Sequence, residues 1–324
     1  MAGLFVMSLD FELMWGVRDH RTIADYGDAI MGGRAAIPRM LATFSKHRVK
    51  ATWATVGFLF ARNRADLLDH APSLRPRYAN AKLDPYSSAI HGIGTSEADD
   101  PWHFGRSLVE QIRDTEGQEL ATHTHSHYYC LESGQTGAAF RADIKAAMTA
   151  AAEANVTLQS IVFPRNQMSD EAVRICVENG ISCVRGNPDA YMYRPRGQEE
   201  TGAAVRFLRT VDSVLPLTPR TSARPKRDAR GALNVPASRF FCPRFLKVPG
   251  VSEAFLRRIK SEMLHAAQND EIYHLWWHPH NFGRDTDRHL GRLEAILSYF
   301  ERLAGDHGMQ SVTMADCLAI AGEG

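Results

Sequence analysis

Short apolar runs alternate with longer amphipathic segments through most of the chain. The runs are GLFVMSL, VKATWATVG, QELATH, LQSIVF, GISCVRG, ALNVPAS, IYHLWW and MQSVTM, each of the length of a buried strand. Between them, residues 33–47, 138–155, 169–179, 252–269 and 288–303 carry apolar side chains at helical spacing. Strand and helix alternating in this way predict βα units around a parallel sheet, and seven or eight strands predict closure into a barrel. The expected fold class is α/β, a distorted (β/α) barrel of seven or eight strands, with residues 1–324 forming a single domain.

Two stretches break the rhythm. Residues 71–102 are rich in Pro, Asn, Ser, Gly and Asp with little periodicity, which predicts a long excursion beside an active site rather than a linker. Residues 216–232, PLTPRTSARPKRDARGA, carry Arg220, Arg224, Lys226, Arg227 and Arg230. Such a charge run reads as a solvated loop or, more sharply, as a clamp for a phosphorylated or anionic substrate.

With 44% apolar and 23% charged residues over 324 positions, the composition is that of an ordinary globular protein. A formal net charge of +1 creates no field that would attract nucleic acid. Five cysteines (Cys130, Cys176, Cys183, Cys242 and Cys317) are odd in number and include no CxxC pair, so reduced core thiols are expected rather than a disulfide framework or a thiolate zinc site. The opening MAGLFVMSLDFE reaches a carboxylate after a short apolar run, with no basic leader and no membrane-spanning length. The expected location is the cytoplasm, either free or at the inner face of the membrane, with no integral membrane segment.

Functional side chains of such barrels gather where strands end, at the carboxyl face. SLDFE ends the first strand with Asp10 and Glu12, which alternation places on one side. Two carboxylates so close repel unless a cation lies between them or one holds a proton. LATHTHSHYY follows the third run with His123, His125 and His127, three imidazoles within five residues, and imidazole is a frequent metal ligand. An extended segment would point all three rings one way, whereas a helical one would pair only His123 with His127. IVFPRNQ ends another strand with Arg165, Asn166 and Gln167, and HLWWHPHNFG ends a late one with His278 and His280.

In this order the clusters resemble the motifs of the NodB-type polysaccharide deacetylases, carbohydrate esterase family four and its intracellular relatives. LDFE is similar to that family's acidic pair in a variant spaced by one residue, which implies Asp10 as base and Glu12 as metal ligand. HTHSH matches the family's motif of histidine, Ser or Thr, two residues and histidine, which implies His123 and His127 as ligands. VKATWATVG resembles the strand between those motifs, and the likeness runs through most of the chain. The third motif usually has an arginine before a proline pair, steadying the base; FPRNQ reverses that order, and the resemblance implies Arg165 in the role. The last motif ends an apolar run with an acid histidine; LWWHPHNF offers two, His278 and His280, of which His278 is favoured because it ends the apolar strand directly, with His280 then near the substrate and Asp189 as the acid that would orient His278.

The resemblance implies the NodB-homology barrel, a divalent metal with zinc the first choice, and hydrolysis of an amide C–N bond. Two histidines, one carboxylate and an exchangeable water make the open position of a hydrolytic zinc site. The implied reaction removes acetyl from an N-acetylated sugar in bacterial surface polysaccharide (O-antigen or capsule) biosynthesis. In the cytoplasm the substrate would be a nucleotide- or lipid-linked glycan precursor rather than finished polymer. Three other readings compete: an amidohydrolase-type barrel using an extended HxH pair on a cyclic amide or ureide, an allantoinase-like NodB-type enzyme, and a non-catalytic glycan-binding barrel. In the last, Trp15, Trp102, Trp276 and Trp277 would stack on sugar rings. Loss of Asp10, Glu12, His123 or His127 would mark such a protein, and all four are present.

Overall fold

The computed structural model describes residues 2–188, 193, 212, 220–241 and 249–322. Its strands are β1 (Leu4–Phe11), β2 (Ala51–Thr55), β3 (Gln118–Thr122), β4 (Ser160–Ile161), β5 (Cys183–Val184), β6 (Lys226–Arg227), β7 (Leu233–Asn234), β8 (Arg239–Phe240), β9 (Ile272–Trp277) and β10 (Gln310–Val312). They form one sheet in the order β6-β7-β5-β4-β3-β2-β1-β9-β8, with β10 also paired to β1. Among the described residues every strand pair is parallel except β6 with β7. β10 wedges in where β1 and β2 splay apart: it pairs with residues 4–6 of β1, and β2 pairs from Ser8 onward. Between β7 and β8 the chain crosses the remaining gap. There the Ala237 N–H donates to the Gly186 carbonyl at 2.9 Å and the Ser238 N–H to that of His274 at 2.8 Å. The curl is thereby completed into a distorted (β/α) barrel.

Helices α1 (Ile23–Lys46), α2 (Arg64–Asp69), α3 (Arg106–Arg113), α4 (Gly137–Ala152), α5 (Asp170–Glu178), α6 (Pro249–Asn269), α7 (Thr286–His307) and α8 (Asp316–Gly322) connect the strands. Side chains alternate across each strand. Phe5, Met7, Leu9, Trp53, Ile161, Tyr273 and Leu275 face outward and join Ile37, Phe44, Ile144, Ile259 and Leu293 of the helices in the main core. Leu4, Val6, Ala54, Val162, Cys183, Leu233 and Ile272 face inward and make a smaller apolar layer inside the barrel. The same alternation then puts Ser8, Asp10, Arg185, His274 and Trp276 on the inner side nearer the carboxyl ends of the strands. The amino-terminal half of the barrel is filled with hydrocarbon and its carboxyl half with chemistry.

Each of the eight apolar runs contains a strand. α1 starts at Ile23, well before the expected start at residue 33. A capping box at Thr22 and Asp25 begins it, and glycines 27, 32 and 33 hide its apolar period in the sequence. Gly33 has a packing reason: a Cβ there would lie 2.7 Å from the Cα of His280, so glycine lets α1 touch the loop after β9. The four described cysteines are free and buried, as expected, and Cys242 lies outside the described residues.

The excursion 71–102 folds against the carboxyl face, as its composition suggested. The Tyr129 N–H donates to Tyr78 Oη at 2.9 Å, and the N–H groups of Arg77 and Ala79 donate to the carbonyls of Gly134 and Ser133. The described part of the basic loop lies elsewhere. Arg220 contacts His265 and Arg224 the Asn269 carbonyl, both at the carboxyl end of α6, and Ala223 bridges Ile272, the first residue of β9. These are features of the amino-terminal end of the strands, opposite to Asp10 and His278. Arg230 is engaged by Asp228 and Asp170. Arg220 and Arg224 are thus held on the far side of the barrel from Asp10, where they could not clamp a substrate bound there, and Arg230 is taken up by carboxylates.

Candidate active site

β1 delivers Asp10 and Glu12 to the mouth of the barrel, both buried. Arg185, one residue past β5, faces them from across the interior. Its Nη1 lies 2.6 Å from Asp10 Oδ1 and its Nη2 2.9 Å from Asp10 Oδ2, a bidentate pair. Burial works against the Asp10 charge, yet Arg185, with smaller help from His123 and His278, holds its pKa down to about 2. Asp10 is thus ionised throughout the neutral range.

The HTHSH segment is neither extended nor helical. β3 ends at Thr122, and Thr124 and His127 both take left-handed backbone angles, φ 63° and 57°. That double reversal folds the segment into a turn which brings the rings of His123 and His127 to 5.0 Å between centroids. Asp143 of α4 holds the turn from beneath. Its carboxylate accepts the N–H groups of His125 and Ser126 at 2.7 and 3.1 Å and the Ser126 hydroxyl. His125 points away from its two neighbours, packed edge-on against Phe58 at 4.9 Å, and among the described residues neither ring nitrogen is hydrogen-bonded.

Glu12, His123 and His127 converge as one group able to hold a cation. His123 Nδ1 lies 2.7 Å from the Val162 carbonyl and can only donate to it, which leaves Nε2 as the lone-pair nitrogen. His127 Nδ1 meets Tyr129 Oη at 3.1 Å. The two Nε2 atoms face Glu12, His123 at 3.9 Å from Oε1 and His127 at 3.5 Å from Oε2. Ligands bound at about 2.0–2.2 Å to one tetrahedral ion stand roughly 3.3–3.6 Å apart; these donor atoms, all within 4.8 Å of one another, need only a small contraction to hold a single zinc-like cation. Burial lowers the pKa of both rings, keeping them in the neutral form a metal requires. Gly16 makes the Glu12 position accessible: a Cβ there would sit 1.1 Å from Glu12 Oε2.

His278 follows β9. Its Nε2 is 2.9 Å from Glu12 Oε1 and 3.7 Å from Asp10 Oδ2. Burial pushes its pKa down, but the two carboxylates more than reverse this, and the net shift is upward. Asp189, expected to orient this ring, lies outside the described residues, and among the described residues Nδ1 of His278 has no hydrogen-bond partner. His280 stacks on His278 at 4.9 Å and meets Tyr26 edge-on at 5.6 Å. It borders a small cleft with Phe11, Glu12, Leu13, Ile30, Gly33 and Pro279.

Arg165 does not reach Asp10 in this structure. Arg165 and Asn166 both adopt left-handed angles, φ 55° and 54°, which swing the Arg165 guanidinium outward to Asp19 and over the Tyr129 ring at 4.4 Å. The same turn aims Asn166 Oδ1 at Arg185 Nη2, 3.1 Å away. The arginine that steadies Asp10 is Arg185, and the assignment to Arg165 is corrected on geometry. Arg185 and Asp143 were the residues missed from sequence. Each left a signal: Arg185 is a lone charge two positions after the inward Cys183, and Asp143 interrupts the buried α4 stripe of Ala139, Phe140, Ile144 and Ala147.

No protein-family model and no curated protein matches the sequence. Solved structures do match. One, assigned as a polysaccharide deacetylase from Mycobacterium smegmatis, has a TM-score of 0.59 at 13% identity, covering 98% of this chain and 90% of its own. The Puue allantoinase has a TM-score of 0.51 at 11% identity, covering 97% of this chain and 87% of its own. The 4-alpha-glucanotransferase from Thermococcus litoralis has a TM-score of 0.52 at 9% identity, with 98% of this chain but 40% of that larger one aligned. At such identities the likeness establishes the fold, the NodB-type distorted barrel shared with polysaccharide deacetylases. Activity has to come from the site.

Proposed function

We propose that the chain, as one catalytic unit over residues 1–324, is a metal-dependent hydrolase of amide C–N bonds that removes acetyl from an N-acetylated sugar. We further assign it to bacterial surface polysaccharide (O-antigen or capsule) biosynthesis in the cytoplasm, free or at the inner face of the membrane, with a nucleotide- or lipid-linked precursor as substrate. No helix among the described residues is long and apolar enough to cross a membrane. One observation carries the reading: the Glu12, His123 and His127 donor set lies directly beside an arginine-held carboxylate, Asp10, and an imidazole, His278, whose Nε2 is 2.9 Å from Glu12 Oε1.

A divalent ion held by Glu12, His123 and His127, zinc for this donor set, would supply Lewis acidity to the amide carbonyl and acidify the attacking water. Asp10, ionised and fixed by Arg185, takes the proton of that water. His278, whose proton the neighbouring carboxylates retain, gives it to the leaving nitrogen, which is too basic to depart unprotonated. The products are acetate and a free amino sugar. His280 backs the His278 ring and meets the substrate from the cleft side.

The HxH alternative loses its footing, because the His125 ring faces Phe58 and not the donor set. A ureide remains a chemically related second substrate class, since the same water, base and acid would open it, and the shared fold of the Puue allantoinase supports testing it. The test is zinc content by mass spectrometry of wild type and of alanine variants at His123, His125 and His127. Acetate release from nucleotide-linked N-acetylated sugars, and turnover of allantoin, follow for wild type and Asp10→Asn. Zinc lost at positions 123 and 127 but kept at 125, with acetate release abolished in Asp10→Asn, is the expected result. Zinc retained without His123 or His127, or a wild type that hydrolyses no acetylated sugar, overturns the reading.

A further inference from the structure

Beneath the Asp10–Arg185 pair a hydrogen-bonded chain runs across the interior of the barrel. Arg185 Nη1 lies 2.9 Å from Ser8 Oγ, Ser8 Oγ 2.8 Å from His274 Nε2, and His274 Nδ1 3.2 Å from the Val235 carbonyl. Ser8 and His274 are both 0% exposed, so water does not compete for any of these bonds. The donor and acceptor roles are forced. A carbonyl only accepts, so the ring proton of the neutral imidazole sits on Nδ1, where it is donated to Val235. Nε2 is therefore unprotonated and accepts the Ser8 hydroxyl, whose oxygen in turn accepts from Arg185, since a guanidinium only donates. Burial, reinforced by Arg185, lowers the His274 pKa to about 3, which matches the neutral ring this pattern needs.

The chain of bonds accounts for every Nη hydrogen of Arg185. Nη1 serves Asp10 Oδ1 and Ser8, and Nη2 serves Asp10 Oδ2 and Asn166. The Trp276 ring lies against the guanidinium carbon at 4.3 Å. Two acceptors other than Asp10 thus set the rotation of the guanidinium, one from each side.

We propose that Ser8 and His274 are positioning residues for the reaction, fixing the plane of Arg185 so that it grips both oxygens of Asp10. The inference rests on the reading of Asp10 as the base. Neither residue contacts Glu12, His123 or His127 in the structure, so the metal centre should not register their loss.

Four variants and one spectrum test it. Ser8→Ala removes the acceptor for Arg185. His274→Asn keeps a group near the Val235 carbonyl but cannot reach Ser8, whereas His274→Gln puts an amide oxygen near the place of Nε2. Outer hydrogen-bond partners of metal ligands cost roughly 10–100-fold in affinity or activity when removed, and a loss at the lower end of that range is expected for partners of the arginine that holds the base. The expected result is a kcat at least about tenfold lower in Ser8→Ala and His274→Asn, with KM and zinc content unchanged, and recovery to within about threefold in His274→Gln. Asp10→Asn, as the fourth variant, sets the floor. Full kcat in Ser8→Ala, equal loss in the Asn and Gln variants, or zinc loss in step with kcat overturns the proposal. Long-range proton–nitrogen NMR of the wild type gives a readout that needs no substrate: His274 should show a neutral ring protonated on Nδ1 from pH 8 to pH 5. The opposite tautomer, or a ring that titrates in that interval, overturns the inference even in an active enzyme. The expected tautomer in a protein that hydrolyses no acetylated sugar would instead sink the deacetylase reading alone.

Discussion

Replacing Arg185 by methionine keeps most of the side-chain volume and removes the charge. In the ion pair the Arg185 and Asp10 side chains are 0% and 5% exposed, so the variant strands a carboxylate in a low-dielectric interior. Breaking a buried pair in this way costs about 3–5 kcal/mol. The pH dependence gives a sharper signature. The folded-state pKa of Asp10 is depressed, about 2 against an unfolded value near 3.8. A group of this kind stabilises the fold above its unfolded pKa and loses that contribution as pH falls through the folded one. The shift corresponds to about 2.5 kcal/mol. Without Arg185 the burial that opposes ionisation dominates, and the sign reverses: the carboxylate then costs stability at neutral pH. Urea unfolding at pH 7 and pH 3 should therefore show a deficit for Arg185→Met that is large at pH 7 and smaller at pH 3. Arg165→Met, which removes the pair with the buried Asp19 and the charge over the Tyr129 ring but nothing that touches Asp10, should cost about 1–3 kcal/mol and leave acetate release near wild type. A deficit that is the same at both pH values, or an Arg165 variant that loses activity while Arg185→Met keeps it, would refute the assignment of Arg185 to the base.

Three further outcomes follow from the site. Gly16→Ala should force the Glu12 carboxylate out of place and lower zinc affinity at least about tenfold by calorimetry, with little change in the unfolding midpoint of the metal-free protein; unchanged affinity would contradict the packing. Asp143→Asn turns an amide N–H toward one of two buried backbone N–H groups, so a loss of about 2–4 kcal/mol is expected in urea unfolding at pH 7. Asp143 also has a raised folded pKa, about 6 against 3.8 unfolded, because burial disfavours its charge. Its contribution is full below pH 4 and falls by about 3 kcal/mol as pH rises through 6, so the Asn variant's deficit should shrink from pH 4 to pH 7. Chelation should lower the thermal midpoint of the wild type by an amount that grows with the zinc concentration it replaces, and should barely move Gly16→Ala; equal shifts would place the ion elsewhere.

The parts of the site that sequence reveals are those whose chemistry stands out at a strand end. Asp10 and Glu12 share a face because alternation requires it, and His278 closes an apolar strand with nothing else to explain it. The barrel was legible for the same reason, since eight apolar runs at βα spacing have few other arrangements. The histidine turn was not. Period arguments offered extended or helical geometry, and the chain takes neither, because His127 and, against the habit of a β-branched residue, Thr124 take left-handed angles. What compensates is Asp143, distant in sequence, and a bond of that range leaves no mark on local periodicity.

The exchange of Arg165 for Arg185 has a similar cause. Both arginines follow short inward-running strands, β4 and β5, and either could have faced Asp10. The deciding element is the left-handed pair at Arg165 and Asn166, which costs about 1–2 kcal/mol at each non-glycine residue. Of the two, only asparagine favours such an angle, so Asn166 was the single local hint. The turn recovers that cost by placing Asn166 Oδ1 on Arg185 and Arg165 on Asp19, two hydrogen bonds to charged groups at about 1.5–3 kcal/mol each. The choice of arginine is thus set by the balance of a backbone strain against side-chain contacts made across the barrel. A motif in the linear sequence carries only the first half of that balance.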